Sequence, residues 1–252
     1  GEIDQAEAKT TQIPAKVQYT RTYSDTDAGL SAILKHTAED HKGVLSISMI
    51  ELSGKKRRAS YNGDTQVTPA STYKLFIAYS ILKRVENGQL SWNSVLDDVG
   101  GRSLDQCFDD MIVKSDNACP ETTIEHIGRA AIQADVQELG MSGTNFRNVN
   151  GLLSTANDLF QFVAMLEMRQ LPLSRASQDR LISAMQRNVY RQGIPAGASG
   201  AVADKVGFLN GLLHDAAIVY SPKGTYALVI MTDGSSWAEI AAITRQIEKL
   251  RG

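Results

Sequence analysis

Three strand-like segments near the C-terminus, 201–208, 214–220 and 226–231, are separated only by Asn210-Gly211 and by Ser221-Pro222-Lys223-Gly224. Both connections are turn signals. They are too short for the crossover that parallel neighbours need, so the three segments must pair antiparallel. A second strand pair is expected near the N-terminus. Residues 44–52 alternate with apolar positions on both faces, and 58–61 can return across the Ser53-Gly54 turn. Between the two strand groups the apolar spacing is helical at 71–87, 107–113, 121–127, 157–169 and 174–186. Ser154, Thr155 and Ser174 are candidate caps, and Asn87-Gly88 is a helix stop. Helices are also expected at 27–41 and 237–250. Strands at both ends with helices between them predict an α+β fold. One antiparallel sheet would be covered by the first and last helices, with a second lobe built from helices alone. The expected division is a polar arm or linker at 1–26 and one domain at 27–252. Within that domain, 27–62 and 200–252 form the sheet lobe and 63–199 the helical lobe. A site is expected in the cleft between them.

The chain has 252 residues, 42% of them hydrophobic, which is enough for a large core. The formal net charge is −2, which gives no basic field for nucleic acid. The one basic run, Lys55-Lys56-Arg57-Arg58, is expected to be a solvated hairpin turn and does not complete a phosphate-binding loop. No stretch approaches the roughly 20 apolar residues of a membrane span. The four histidines are too scattered to form a ligand set, so no metal or cofactor is expected.

The sharpest chemical feature is Ser71-Thr72-Tyr73-Lys74, preceded by Pro69-Ala70 and opening a helix. A serine hydroxyl becomes a useful nucleophile only when a base takes its proton. A lysine three positions along shares the serine's face of the helix. Burial near another cation would lower its pKa enough for it to serve. The helix N-terminus favours a developing oxyanion. Alone, this spacing is as compatible with a helix cap and a surface lysine. Two further elements lend it weight. Ser115-Asp116-Asn117 lies between predicted helices, where the serine can relay a proton and the asparagine can hold a carbonyl. It could equally be a turn that caps the next helix. Lys205-Val206-Gly207 lies on a predicted strand, where the lysine can anchor an anion and the glycine lets a ligand approach the backbone. Cys107 and Cys119 bracket the second element. Two buried thiols are one reading; a disulfide, worth about 3 kcal/mol for a loop of this size, is the favoured one.

In this order the three elements resemble the S-x-x-K, S-D-N and K-T-G set of class A β-lactamases and penicillin-binding proteins. The resemblance spans roughly residues 27–251. It includes P-A-S-T-Y-K-L-F, C-F-D-D-M-I-V-K-S-D-N-A-C and the strand–turn–strand–helix ending. It implies a serine acyltransferase or hydrolase in which Ser71 is acylated, Lys74 is the base and Ser115 the relay. Asn117 would contact the substrate amide, Lys205 would sit near its carboxylate, and the N–H groups of Ser71 and Phe208 would form the oxyanion hole. The implied partner is a β-lactam or a D-Ala-type cell-wall peptide. The implied setting is extracytoplasmic, whether secreted, periplasmic or tethered through a segment outside this sequence, and the chain is expected to be monomeric.

Two departures bear on activity. Val206 stands where the family has Thr or Ser, which removes a hydroxyl that binds the substrate carboxylate. Such a bond to a charged group is worth about 1.5–3 kcal/mol. The stretch 140–154, G-M-S-G-T-N-F-R-N-V-N-G-L-L-S, has no acid to activate a deacylating water. The nearest acids, Glu138 and Asp158, belong to flanking helices. An acyl-enzyme is therefore expected to form and to hydrolyse slowly. A catalytically degenerate member that only binds peptidoglycan or a partner is the alternative. A Ser-His-Asp arrangement using His214, Asp215 and Ser199 is disfavoured, because no G-x-S-x-G turn is present.

Overall fold

A computed structural model describes residues 26–251. The expected arm therefore lies outside the described residues, apart from Thr26, which bridges to Arg58. Five strands form one antiparallel sheet: β1 (Val44–Glu51), β2 (Arg58–Tyr61), β3 (Ala201–Leu209), β4 (Leu212–Ser221) and β5 (Gly224–Asp233). Their order is β2-β1-β5-β4-β3, so the N-terminal hairpin completes the C-terminal meander through β1 and β5.

Each sheet face has its own apolar layer. On one face α1 (Ala28–Glu39) and the last helix, α9 (Trp237–Leu250), contribute Leu30, Leu34, Ile240, Ile243 and Ile247 against Ile47, Val219, Leu228 and Ile230. The other face carries the helical body: α2 (Lys74–Glu86), α3 (Leu104–Val113), α4 (Ala118–Ile127), α5 (Arg129–Glu138), α6 (Ala156–Glu167) and α7 (Arg175–Gln186). A further single turn, α8 (Ile194–Gly197), precedes β3.

The caps explain where these helices start. Thr155 and Ser174 accept from Asp158 N and Ser177 N, as their types suggest. Ser103 and Gln106 form a reciprocal capping box that starts α3 earlier than the apolar spacing indicates. The nine consecutive residues Lys74 to Leu82 are all buried, so α2 is the central helix of the body. An edge-to-face aromatic chain runs along it, from Tyr73 through Phe146, Phe76 and Phe162 to Tyr79.

The basic run is only half the solvated turn expected of it. Lys55 and Lys56 are exposed. Arg57 instead donates to Glu51 at 2.6 Å, and Arg58 lies over the Phe160 ring at 5.2 Å. Long aliphatic stems let such residues cover apolar surface while their charge is paired.

Candidate active site

The three sequence elements converge where the edge strand β3 meets the start of α2. Residues Ala70–Tyr73 form a 3-10 turn rather than the first turn of the α-helix, and Lys74 N–H closes it onto Ser71 O. Side chains three apart eclipse in that geometry, so Ser71 and Lys74 leave the backbone on the same side of the turn. Ala70 enters the turn at φ +47°. A left-handed alanine costs about 1 kcal/mol or more, so the turn is held by its surroundings. Thr72 Oγ1 donates to Pro69 O at 2.6 Å. His214, fully buried on β4, lies 2.9 Å from Thr68 O through Nε2, while its Nδ1 accepts from Thr232 N at 3.1 Å. Those contacts assign the neutral tautomer with the proton on Nε2. Burial lowers the His214 pKa in the same direction.

Gly207 makes the join. A Cβ there would stand 2.9 Å from Pro69 O and from Ser71 N, and 3.0 Å from Thr72 N. The close approach that the sequence suggested for a ligand is thus made by the protein's own turn. Packing β3 against Ser71 requires a residue without a side chain.

Lys74 is fully buried, and its Nζ donates to Ser115 O at 2.7 Å, Asn117 Oδ1 at 2.8 Å and Ser115 Oγ at 3.2 Å. Burial lowers its pKa to about 8, against the pull of Asp116 and Glu121. Lys205, also fully buried, reaches the same hydroxyl: its Nζ lies 2.9 Å from Ser115 Oγ and 2.7 Å from Val206 O. Burial, and then the charge of Lys74, push Lys205 well below the usual lysine value. Ser115 Oγ therefore bridges two amines. One hydroxyl can accept from one of them and donate to the other when that one is neutral.

The Ser115–Asn117 loop is fastened from several sides. Cys107 and Cys119 form a disulfide across it. Asp116 accepts from Cys119 N at 2.9 Å and pairs with Arg102 at 3.1 Å. Burial alone would raise the Asp116 pKa, but these bonds hold it below the usual carboxylate range. Ser115 takes φ +58°, a second left-handed residue at the site.

Lys205 and Val206 point to opposite sides of β3. Val206 is 1% exposed and faces the α9 side, as do Asp204 and Asp215. Asp204 Oδ1 accepts from Asn188 and Arg191, and Asp215 Oδ2 accepts from Ile194 N. Both carboxyls are fully buried. Burial raises both pKa values. Asp215 lies well above the usual range because Asp204 adds its charge, so Asp215 keeps the proton of the pair.

His214 and Asp215, being adjacent on a strand, face opposite sides. Ser199 is tied to Glu248 at 2.7 Å. The disfavoured Ser-His-Asp set is not assembled. The sequence reading missed the roles of His214 and Asp204, yet the period-two alternation through Lys205 already places Asp204 on the reverse face. Tyr190 was missed for want of any local signal; its hydroxyl donates to Lys114 O at 3.2 Å, beside Ser115.

The acids flanking 140–154 belong to the scaffold. Glu138 pairs with Lys83 at 2.8 Å, and the buried Asp158 accepts from Thr144 Oγ1 at 2.7 Å. Among the described residues there is no cluster of His, Cys, Asp or Glu suited to a metal. No described helix is long and apolar enough to cross a membrane.

An antiparallel sheet, a buried central helix and two buried lysines that share the Ser115 hydroxyl, with the Ser71 turn packed on β3, fit an acyl-transferring serine protein. The family comparison agrees: residues 29–250 match the model of the β-lactamase enzyme family, and the chain belongs to that family. Comparison with curated proteins found no match. Among solved structures, PBP-A superposes with a TM-score of 0.82 at 21% identity, covering 92% of this chain and 98% of that one. A β-lactamase from Sphaerobacter thermophilus gives a TM-score of 0.78 at 20% identity, covering 90% and 98%. The class A β-lactamase of the last common ancestor of Gram-negative bacteria gives 0.78 at 21%, covering 89% and 100%. At these identities the likeness is one of fold.

Proposed function

We propose that the protein is an extracytoplasmic serine hydrolase that forms an acyl-enzyme on Ser71 with β-lactams or D-Ala-type peptides and releases it slowly. The observation that carries this reading is the Lys74–Ser115–Lys205 arrangement, two buried amines sharing one hydroxyl. A solvated surface lysine would stay protonated, whereas Lys74 has a pKa of about 8 and is partly free base near neutrality.

Acylation then proceeds in named steps. Lys74 takes the Ser71 proton as Oγ attacks the acyl carbon. The oxyanion accepts from the N–H groups of Ser71 and Phe208. The proton passes through Ser115 Oγ to the departing nitrogen, and Asn117 holds the amide of the acyl half. Slow deacylation follows from the acid-free stretch 140–154 and from the engagement of Glu138 and Asp158 in the scaffold. An extracytoplasmic setting suits the disulfide, which persists under oxidising conditions.

A chromogenic cephalosporin tests both halves. The expected trace is a burst of about one equivalent per chain followed by a slow steady state. Steady turnover without a burst would refute slow deacylation. Neither burst nor turnover would favour a binding module.

A further inference from the structure

Ser115 holds its place against local preference. It follows the end of α3 with φ +58°, a left-handed position that glycine usually fills at helix ends. Its hydroxyl is also finely placed. Lys74 Nζ lies 3.2 Å away, at the long end of a hydrogen bond, so a shift of the loop by a few tenths of an ångström would break that contact. The disulfide and the Asp116–Arg102 pair fasten the loop from the α4 side. On the α3 side it is fastened by a segment from elsewhere in the chain.

That segment is the strap 188–190, which lies between α7 and α8. Val189 N donates to Val113 O at 3.1 Å, and the Tyr190 hydroxyl donates to Lys114 O. Both acceptors belong to the last turn of α3, whose carbonyls lack partners within the helix. They are the two residues directly before Ser115.

One side chain shapes the strap. Asn188 is 4% exposed; its Oδ1 accepts from Tyr190 N at 2.9 Å, and its Nδ2 donates to Tyr190 O at 3.0 Å. These bonds fold the strap on itself, as asparagine does in tight turns. The same Nδ2 donates to Asp204 Oδ1 at 3.0 Å. Arg191 also donates to Asp204, but its side chain keeps 40% exposure, so Asn188 is the buried link. The Tyr190 ring packs edge-to-face on Phe208 of β3, with centroids 5.3 Å apart.

Asp204 and Lys205 are neighbours on the edge strand and point to opposite faces. Lys205 holds the Ser115 hydroxyl directly at 2.9 Å. Asp204 holds the backbone before Ser115 indirectly, through Asn188 and the strap. The strap thus links the two faces of β3 around its open edge.

We propose that Asn188, anchored on the buried Asp204, is a positioning residue for proton transfer, because the strap it shapes keeps Ser115 Oγ within reach of both lysines. The proposal rests on Ser115 relaying the proton when Ser71 is acylated.

The test follows adduct formation with a penicillin by intact mass at several drug concentrations, which separates binding from the rate constant at saturation. A placed proton relay is worth about 10²–10⁴, so Asn188→Ala should lower the rate constant about tenfold or more and move the half-saturating concentration less than about threefold. Tyr190→Phe removes one hydroxyl and should slow acylation several-fold with Tm unchanged. Asp204→Asn keeps an acceptor for Asn188 and should stay within about threefold of the original rate constant. A rate constant unmoved in both Asn188→Ala and Tyr190→Phe, an effect on binding alone, or an Asp204→Asn variant as slow as Asn188→Ala would overturn the proposal. No adduct in the original chain, or an equal one in Ser71→Ala, would instead overturn the nucleophile assignment and the positioning role with it.

Discussion

A methyl group at Gly207 has no room. It would meet Pro69 O and Ser71 N at 2.9 Å and Thr72 N at 3.0 Å, where ordinary contact begins at 3.4 Å. All three atoms are backbone, so no side chain can swing aside. In Gly207→Ala the strand and the turn must part by about 0.5 Å, the difference between 3.4 and 2.9 Å. Overpacking of this kind costs about 1–3 kcal/mol, at about 2–4 °C of Tm per kcal/mol for a domain of this size. The larger effect falls on acylation. The parting moves Ser71 N–H away from Phe208 N–H, the two donors assigned to the oxyanion. Losing one such donor outright costs about 10²–10³ in rate, so a half-ångström displacement should cost about tenfold to a hundredfold. The assay is the rate of adduct formation with a penicillin, read by intact mass at several concentrations, with Tm measured in parallel. An acylation rate within about threefold of the original protein would refute the reasoning. So would an unchanged Tm, which would show that the turn yields freely.

Three further outcomes are expected. Acylation should quicken as pH rises through about 8, because only the free base of Lys74 can take the serine proton; a flat profile of adduct formation across that range would argue against this base. The same depressed pKa means that the unfolded chain binds more protons above pH 8, so the folding stability due to Lys74 rises from there toward the ordinary lysine value. Asp215→Asn should keep the Ile194 N–H bond and give Asp204 a donor. The raised pKa of Asp215 costs the original protein stability as pH climbs above the usual carboxylate range. The Tm of the variant should therefore gain on the original between acidic and neutral pH, and a constant difference would exclude a shared proton. Replacing Cys107 and Cys119 together by Ser should cost about 3 kcal/mol, read by urea unfolding, and should slow acylation because the disulfide spans Ser115 and Asn117. Full stability and activity in that variant would remove the disulfide from the account.

The sheet was legible because its turns were. Asn210-Gly211 and Ser221–Gly224 leave antiparallel pairing as the only choice, and the N-terminal hairpin needed only an open edge to join. The helices were legible in kind but less so at their ends. The Ser103–Gln106 box lies outside the apolar spacing, and the serine turn is a 3-10 turn packed closely on Gly207 of β3, a tertiary contact with no local mark. Ser71, Lys74, Ser115, Asn117 and Lys205 carry their chemistry in their type and order, so the sequence could nominate them. Their meeting is a tertiary fact: Lys74 and Lys205 are 131 residues apart, and only the buried hydroxyl of Ser115 makes them one system. Phe208 was marked by the third motif, but Tyr190, in the loop before α8, and Trp237, at the start of α9, lie outside every motif, and only their edge-to-face contacts with Phe208 bring the three rings together.

The central claim is that Ser71 is a nucleophile whose acyl-enzyme persists. Intact-mass spectrometry after incubation with a penicillin, alongside Ser71→Ala, tests it directly. The account predicts an adduct of one intact penicillin that survives removal of free drug and is absent in the variant. An adduct of equal yield in Ser71→Ala would contradict it, as would no adduct with the penicillin left intact.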